Sequence, residues 1–152
     1  MALALTTITN SIAALSVSGV TIFDIDEVPS EIGPRAPAII PLPMIFDNFT
    51  VQYDSMNTSS GTDARKKTVT YDLHYRLLYA PIGTDRGNIL SQLSAMATKA
   101  GLFLDAVMAV DTFTGGIDID PSIPEGNGIV EDPAGVPFWG CDFVLTVMEF
   151  VN

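Results

Sequence analysis

The chain has 152 residues, 47% hydrophobic and 16% charged, with seven Lys and Arg against eighteen Asp and Glu and a formal net charge of -11. That length suits one domain with a single core, and the acidic balance disfavours general DNA or RNA binding, which draws its affinity from basic clusters on phosphate. Because an average soluble domain carries roughly 25% charged residues, surplus apolar surface is expected to be hidden against partners.

In chain order, residues 3 to 16 predict an amphipathic helix, with Leu5, Ile8, Ile12 and Leu15 on one face. Its threonines lower intrinsic helicity, so packing must hold it, and Gly19 is positioned to stop it. Met1 to Leu15 contains no Lys or Arg and is interrupted by polar residues, so no secretory leader is expected there. A strand is expected from Val20 to about Ile25. Glu27 to Pro37 reads as irregular, because Pro29, Gly33, Pro34 and Pro37 spoil any regular element. Ala38 to Leu42 predicts a short strand whose Pro41, with Pro43 just beyond, suits an edge. The apolar stretch Ala36 to Phe46 is far short of the about 20 residues that a membrane span requires, so no membrane partner is expected.

Phe49, Val51 and Tyr53 alternate with polar residues as a half-buried strand does. Val69, Tyr71, Leu73, Tyr75, Leu77 and Tyr79 then alternate with Thr70, Asp72, His74 and Arg76, which predicts a long antiparallel strand. Leu78 is the one apolar residue out of step. Between these strands, about 55 to 67 reads as an exposed loop with Arg65, Lys66 and Lys67, the chain's one basic run, at its tip.

Thr84 or Asp85 can cap a second helix that keeps its spacing through Ile89, Leu93, Met96, Ala100, Leu104 and Val107. Gly101 within it marks a close contact or a break. About 114 to 137 reads as an irregular acidic region. A last strand runs from Phe138 to about Phe150, with Cys141, Phe143, Leu145 and Val147 on one face and Val144, Met148 and Phe150 making the other partly apolar. Such a strand is central in a covered sheet or lies against another subunit. The single Cys141 excludes an intrachain disulfide and fits a reducing compartment. Residues 1–152 thus predict one α+β domain. Its mainly antiparallel sheet has four to five strands, two helices pack on one face, and the loops are long.

Chemistry is sparse. His74 stands alone on the polar side of its strand, Cys141 reads as a small core residue, and Gly83 and Gly87 lack the lysine and spacing of a phosphate loop. No catalytic set and no cofactor site emerge. Asp118, Asp120 and Ser122 have the first, third and fifth spacing of a calcium loop, with Glu125, Asn127, Glu131 and Asp132 following. Ile123 replaces the turn glycine and Ile129 the final glutamate, so Asp118 and Asp120 are weak metal candidates and a solvated acidic loop is the plainer reading. For Arg65, Lys66 and Lys67, pairing with an acidic neighbouring subunit is preferred over phosphate contact. A solvated loop tip beside an edge strand is the bland alternative.

The succession of helix Leu3 to Ser16, strand Val20 to Ile25, proline-rich Val28 to Pro43, alternating Thr68 to Tyr79, helix from Asp85 and strand Gly140 to Val147 resembles the small tail-terminator (tail-completion) proteins of long-tailed phages and phage-like particles. The stretch Thr114 to Pro137 is long and acidic for that pattern. The resemblance implies a non-enzymatic virion subunit of the tail or neck, assembled in the host cytoplasm. It would form a hexameric ring on the tail tube protein, stop tube growth and offer a surface to the head-tail connector protein. Arg65, Lys66, Lys67, Val144, Met148 and Phe150 are the expected interface. Asp118, Asp120, Glu125, Glu131 and Asp132 would form an acidic loop or lumen that repels passing DNA and keeps it from sticking. Competing readings are another head-tail connector or neck protein, a small acidic binding module unrelated to phage, and an enzyme whose site is shared between subunits.

Overall fold

A computed structural model describes residues 3–53, 67–83, 89–110, 117–123 and 128–151. Its elements are α1 (Leu5–Ala13), β1 (Thr21–Ile22), β2 (Ala38–Tyr53), β3 (Lys67–Pro81), α2 (Ile89–Met108), β4 (Asp118–Ser122), β5 (Ile129–Glu131) and β6 (Pro137–Val151). The six strands form one sheet in the order β1-β2-β3-β6-β4, and β5 also pairs with β6. Only β1 and β2 run parallel; the other pairings are antiparallel. This is the expected α+β class, with more strands than the four to five anticipated.

The alternation in β3 and β6 dictates the layers. The two strands pair along their whole length, from Lys67 opposite Val151 to Pro81 opposite Phe138. Successive side chains of a strand point to opposite faces, so Val69, Tyr71, Leu73, Tyr75 and Leu77 share a buried face with Cys141, Phe143, Leu145 and Val147. Ile8 and Ile12 of α1 and Met96, Ala100, Phe103 and Val107 of α2 cover that face and complete the main core. The Phe103 ring lies 4.7 Å from Phe143 and 6.4 Å from Tyr75. The sequence spacing pointed to Leu104, but Phe103 takes the central position and Leu104 packs at its margin.

Several expected elements change length or nature. α1 spans Leu5–Ala13 rather than 3 to 16. The Thr9 and Ser11 hydroxyls donate back to the Thr6 and Thr7 carbonyls, a local competition that weakens helices. Gly19 lies beyond the helix end, in the turn before β1, at φ +71°, where the Lys99 ammonium donates to the Ser18 carbonyl at 2.6 Å. β1 is two residues long rather than reaching Ile25. The two expected strands at 38 to 42 and 49 to 53 are one strand, β2, with register irregularities between Pro41 and Phe46 and between Asp47 and Thr50. Gly101 marks neither a contact nor a break: α2 runs through it, and a Cβ there would meet nothing within 4 Å. The helix caps proposed at Thr84 and Asp85 lie outside the described residues.

The region at 114 to 137 is not irregular throughout. β4 and β5 form within it because β6 is long enough to offer an edge to both, and pairing overrides the turn-forming composition. Ile119 and Val130 bury their side chains, which fixes each short strand's facing.

Leu78 is explained by a second, smaller core on the opposite face of the sheet. At this end the segment before β2 folds over that face and β5, paired to the edge of β6, adds Val130, so Ile32, Ala38, Ile40, Leu78, Val130 and Phe138 pack together. Leu78 therefore keeps the strand's alternation; its face happens to be covered there. Gly140 makes the closure possible, since a Cβ at that position would overlap the Leu77 carbonyl oxygen and the Val130 side chain.

Candidate functional site

Away from the second core, the sheet face opposite the helices carries the side chains that the fold leaves available. The registers place them in rows across the strands. At the small-core end Ile40, Arg76 and Asp142 share a row. His74, Val144 and Ser122 follow, then Asp47, Asp72, Thr146 and Asp120. Thr50, Thr70, Met148 and Asp118 come next, and Gln52, Thr68 and Phe150 finish the face. No described element packs over the last rows, where Met148 is 38% and Phe150 58% exposed.

The first row is neutralised internally. Arg76 forks onto Asp142, donating from Nε to Oδ1 at 2.6 Å and from Nη2 to Oδ2 at 3.0 Å, and donates from Nη1 to the Glu131 carbonyl at 3.0 Å. Hydrogen bonding to Asp142 holds the guanidinium above its ordinary pKa, against the opposing effect of burial. Beside it lies a groove of about 430 Å³ walled by Ile25, Val28, Pro41 and Pro43. Of its polar members, Arg76 and Asp132 are engaged within the fold, and Glu131 accepts from Arg76 through its carbonyl.

The third row is different. Asp47 stands directly opposite Asp72, and Asp120 lies in the same line beyond Thr146. Thr146 Oγ1 donates to Asp72 at 2.8 Å and Asn48 Nδ2 donates to it at 2.7 Å. Asn48 reaches it from the irregular part of β2, at φ +50°, a left-handed conformation that asparagine tolerates. Both donors are neutral and bring no counter-charge to the row. His74 Nε2 is buried without a hydrogen-bond partner and lies 3.6 Å from Asp47 Oδ2.

The expected site residues divide accordingly. Val144, Met148 and Phe150 do share the uncovered face, with Val144 half-buried. Asp118 and Asp120 lie on that face too, on strand β4 rather than in a loop, so the calcium-loop spacing is not expressed as a loop. Among the described residues, no group of three or more His, Cys, Asp or Glu could hold a metal ion. Glu131 is exposed at the other end of the sheet, on β5. Asp132 is 5% exposed and is removed from any lumen. It accepts hydrogen bonds from the Ala134, Val136 and Ile32 amides, so it shapes its own turn and anchors the segment before β2. Arg65, Lys66 and Glu125 lie outside the described residues; Lys67 opens β3 opposite Tyr53.

Burial pushes the Cys141 thiol up to about 11, with Asp142 adding to the effect, so the thiolate needed for nucleophilic chemistry is disfavoured. One functional-looking group had gone unnoticed in the sequence. Glu149 is 3% exposed on the core face, where it accepts from the Ala4 amide at 3.1 Å and from the Tyr71 hydroxyl. It supplies α1 with the N-terminal acceptor that its own sequence lacks. Tyr71 is held protonated first by burial and then by this carboxylate. The signal was present: Glu149 continues the inward series Cys141, Phe143, Leu145, Val147.

The rows on this face offer apolar contact at Met148 and Phe150 beside the carboxylates of Asp72, Asp118 and Asp120, a combination that can dock another surface. Compared with known families and with curated proteins, the sequence matches no family model and no individual protein.

Proposed function

We propose that the chain is a non-enzymatic assembly subunit that self-associates into a ring, and that this ring caps a phage tail tube, stops its growth and joins it to the head connector. One observation carries the assembly part. Val144, Met148 and Phe150 line a sheet face that no described element covers, in a chain that is 47% hydrophobic. Apolar side chains gathered on an uncovered face favour contact with another surface. The tail-terminator part rests on the order of elements, helix, strands, long strand, helix, strand, and is the finer reading. In that ring, the exposed Asp118 and Asp120 would line a passage for DNA, where like charge prevents adhesion.

Electron microscopy and native mass spectrometry of the purified chain, alone and with tail tubes of its own particle, test the reading. The expected result is a ring with about six copies seated on tube ends, and tubes of limited length. Tubes that bind no ring and lengthen unchecked in the presence of the chain would overturn it.

A further inference from the structure

We infer that His74 is a pH-operated latch on the irregular part of β2: the charged imidazole grips Asp47, and the neutral ring lets it go. The device belongs to the single chain and does not require the ring. It begins with the backbone. Pro41 pairs with Tyr75 and Phe46 with Leu73, so residues 42 to 45 of β2 stand against the single residue His74 of β3. Asp47 pairs with Asp72, but the register slips again before Thr50 meets Thr70. Phe46 and Asp47 therefore form a short paired island between two irregularities. Bulges interrupt a ladder, and a short paired stretch opens more easily than a continuous one such as β3 with β6. Side chains must hold the island. Asn48 is one tie, donating to Asp72 at 2.7 Å. His74 with Asp47 is the other.

The second tie is incomplete while the imidazole is neutral. Its Nε2 is buried, has no hydrogen-bond partner and lies 3.6 Å from Asp47 Oδ2. A neutral imidazole carries one ring proton. With that proton on Nδ1, a lone pair faces the carboxylate. With it on Nε2, the donor is uncharged and the contact is too long for a hydrogen bond. The imidazolium carries a proton on both nitrogens, so Nε2 then turns a charged donor toward an oxygen that a small shift brings into reach. Imidazole is the side chain that changes charge between about pH 5 and 8.

The neighbours leave Asp47 as the partner. Arg76, two residues along β3, is committed to Asp142 of β6 and to the Glu131 carbonyl of β5. Asp72, two residues the other way, accepts from Asn48 and Thr146. Val144 of β6 and Ser122 of β4 complete the His74 row without charge, and Asp120 of β4 lies in the next row beyond Thr146. Asp47 also accepts from the Asn48 amide at 2.8 Å, so fixing its carboxylate fixes the chain at Asn48 as well. The grip is complete once the imidazole is charged and is lost as pH rises through the imidazole range.

The test is amide hydrogen exchange of the full chain, followed by NMR at about pH 5.5 and about pH 8 and corrected for the intrinsic rate at each pH. Protection at Phe46 and Asp47 is expected to be roughly two- to fivefold greater at the lower pH, the range of a partly exposed ion pair. Phe143 and Leu145, in the β3–β6 ladder, should show no such difference. Imidazole nitrogen shifts should show His74 gaining its second proton over the same interval. His74→Gln and Asp47→Asn should each abolish the difference at the island, whereas Asp72→Asn should keep it. The two side chains are 21% and 44% exposed, so both variants should melt cooperatively; should one fail to, the other decides. Equal protection at both pH values in the parent overturns the inference. A difference that survives both His74→Gln and Asp47→Asn overturns it too, since another group then produces it. So does one that disappears with Asp72→Asn and persists with Asp47→Asn, because the imidazole then answers to the wrong carboxylate.

Discussion

The two faces of β3 and β6 share one backbone and one ladder of hydrogen bonds, yet they are different surfaces. On the helix side, Val69, Tyr71, Leu73, Tyr75 and Leu77 are all fully buried. On the other side, Thr68, Thr70, Asp72, His74 and Arg76 are half-buried, and their β6 neighbours Met148 and Phe150 are exposed. Strand alternation alone creates the division; what lies over each face decides what a side chain is worth. An apolar residue on the helix side is accounted for by the fold. One at Met148 or Phe150 has no such account among the described residues, which is why the assembly reading rests there. The Leu78 end sharpens the point, since the same far face becomes apolar as soon as a second core covers it.

The contrast is tested hardest by removing a ring from the covered face. Phe143→Ala empties a fully buried position that packs on Phe103, and truncations of this kind cost about 3–5 kcal/mol. Chemical denaturation should show the midpoint falling with an unchanged slope. A loss below about 1 kcal/mol, the centre of the range for substitutions in general, would mean that the helices do not close over this face.

Glu149 breaks the rule of the covered face, and it is tolerated because its carboxylate is used. Glu149→Leu leaves the Ala4 amide and the Tyr71 hydroxyl without this acceptor. An unsatisfied buried polar group costs about 1–3 kcal/mol. Hydrogen exchange should speed up in α1 before the rest of the domain loosens. Equal acceleration across α1 and β3 would place the loss in the core as a whole rather than at the helix terminus.

How much of this was legible beforehand follows the same division. The covered face was readable because alternation and helical spacing report burial directly: the β3 and β6 faces and the two helices follow from residues such as Tyr71, Phe143 and Met96. β4 was not readable, since Asp118, Asp120, Pro121 and Ser122 have turn chemistry and form a strand only because β6 offers an edge. Asp132 and Glu149 resemble other surface acids in sequence, and only long-range partners, the Ile32 amide and the Ala4 amide, bury them. On the uncovered face the apolar members were legible from Val144, Met148 and Phe150. The facing of Asp47 and Asp72 was not, because it depends on the irregular register of β2.

A smaller effect of opposite sign concerns the covering layer. Gly101 lies inside α2 and a Cβ there meets no neighbour within 4 Å. Gly101→Ala should therefore stabilise the domain by about 1 kcal/mol through helix propensity and reduced freedom of the unfolded chain. That corresponds to roughly 2–4 °C in melting temperature for a domain of this size. Calorimetry that finds a decrease would reveal a close neighbour at this position.

The smallest effect on stability belongs to Phe150→Ala. The ring is already 58% exposed, so its loss should change the stability of the single chain by no more than about 0.5 kcal/mol, as for surface sites generally. Its effect on self-association should be larger than on folding. Covering the rest of that ring at an interface contributes about 1–2 kcal/mol, part of the roughly 1.5–3 kcal/mol for burying a large apolar side chain completely, so association should weaken roughly tenfold. Phe143→Ala has the reverse signature, a large loss of folding stability from a residue that no neighbour can touch. Measured side by side, by denaturation and by the concentration dependence of assembly, the two substitutions separate a residue that holds the chain together from one that holds chains to each other. If Phe150→Ala lowers folding stability as Phe143→Ala does and leaves assembly intact, the far face is part of the domain's own interior and the distinction between the faces disappears.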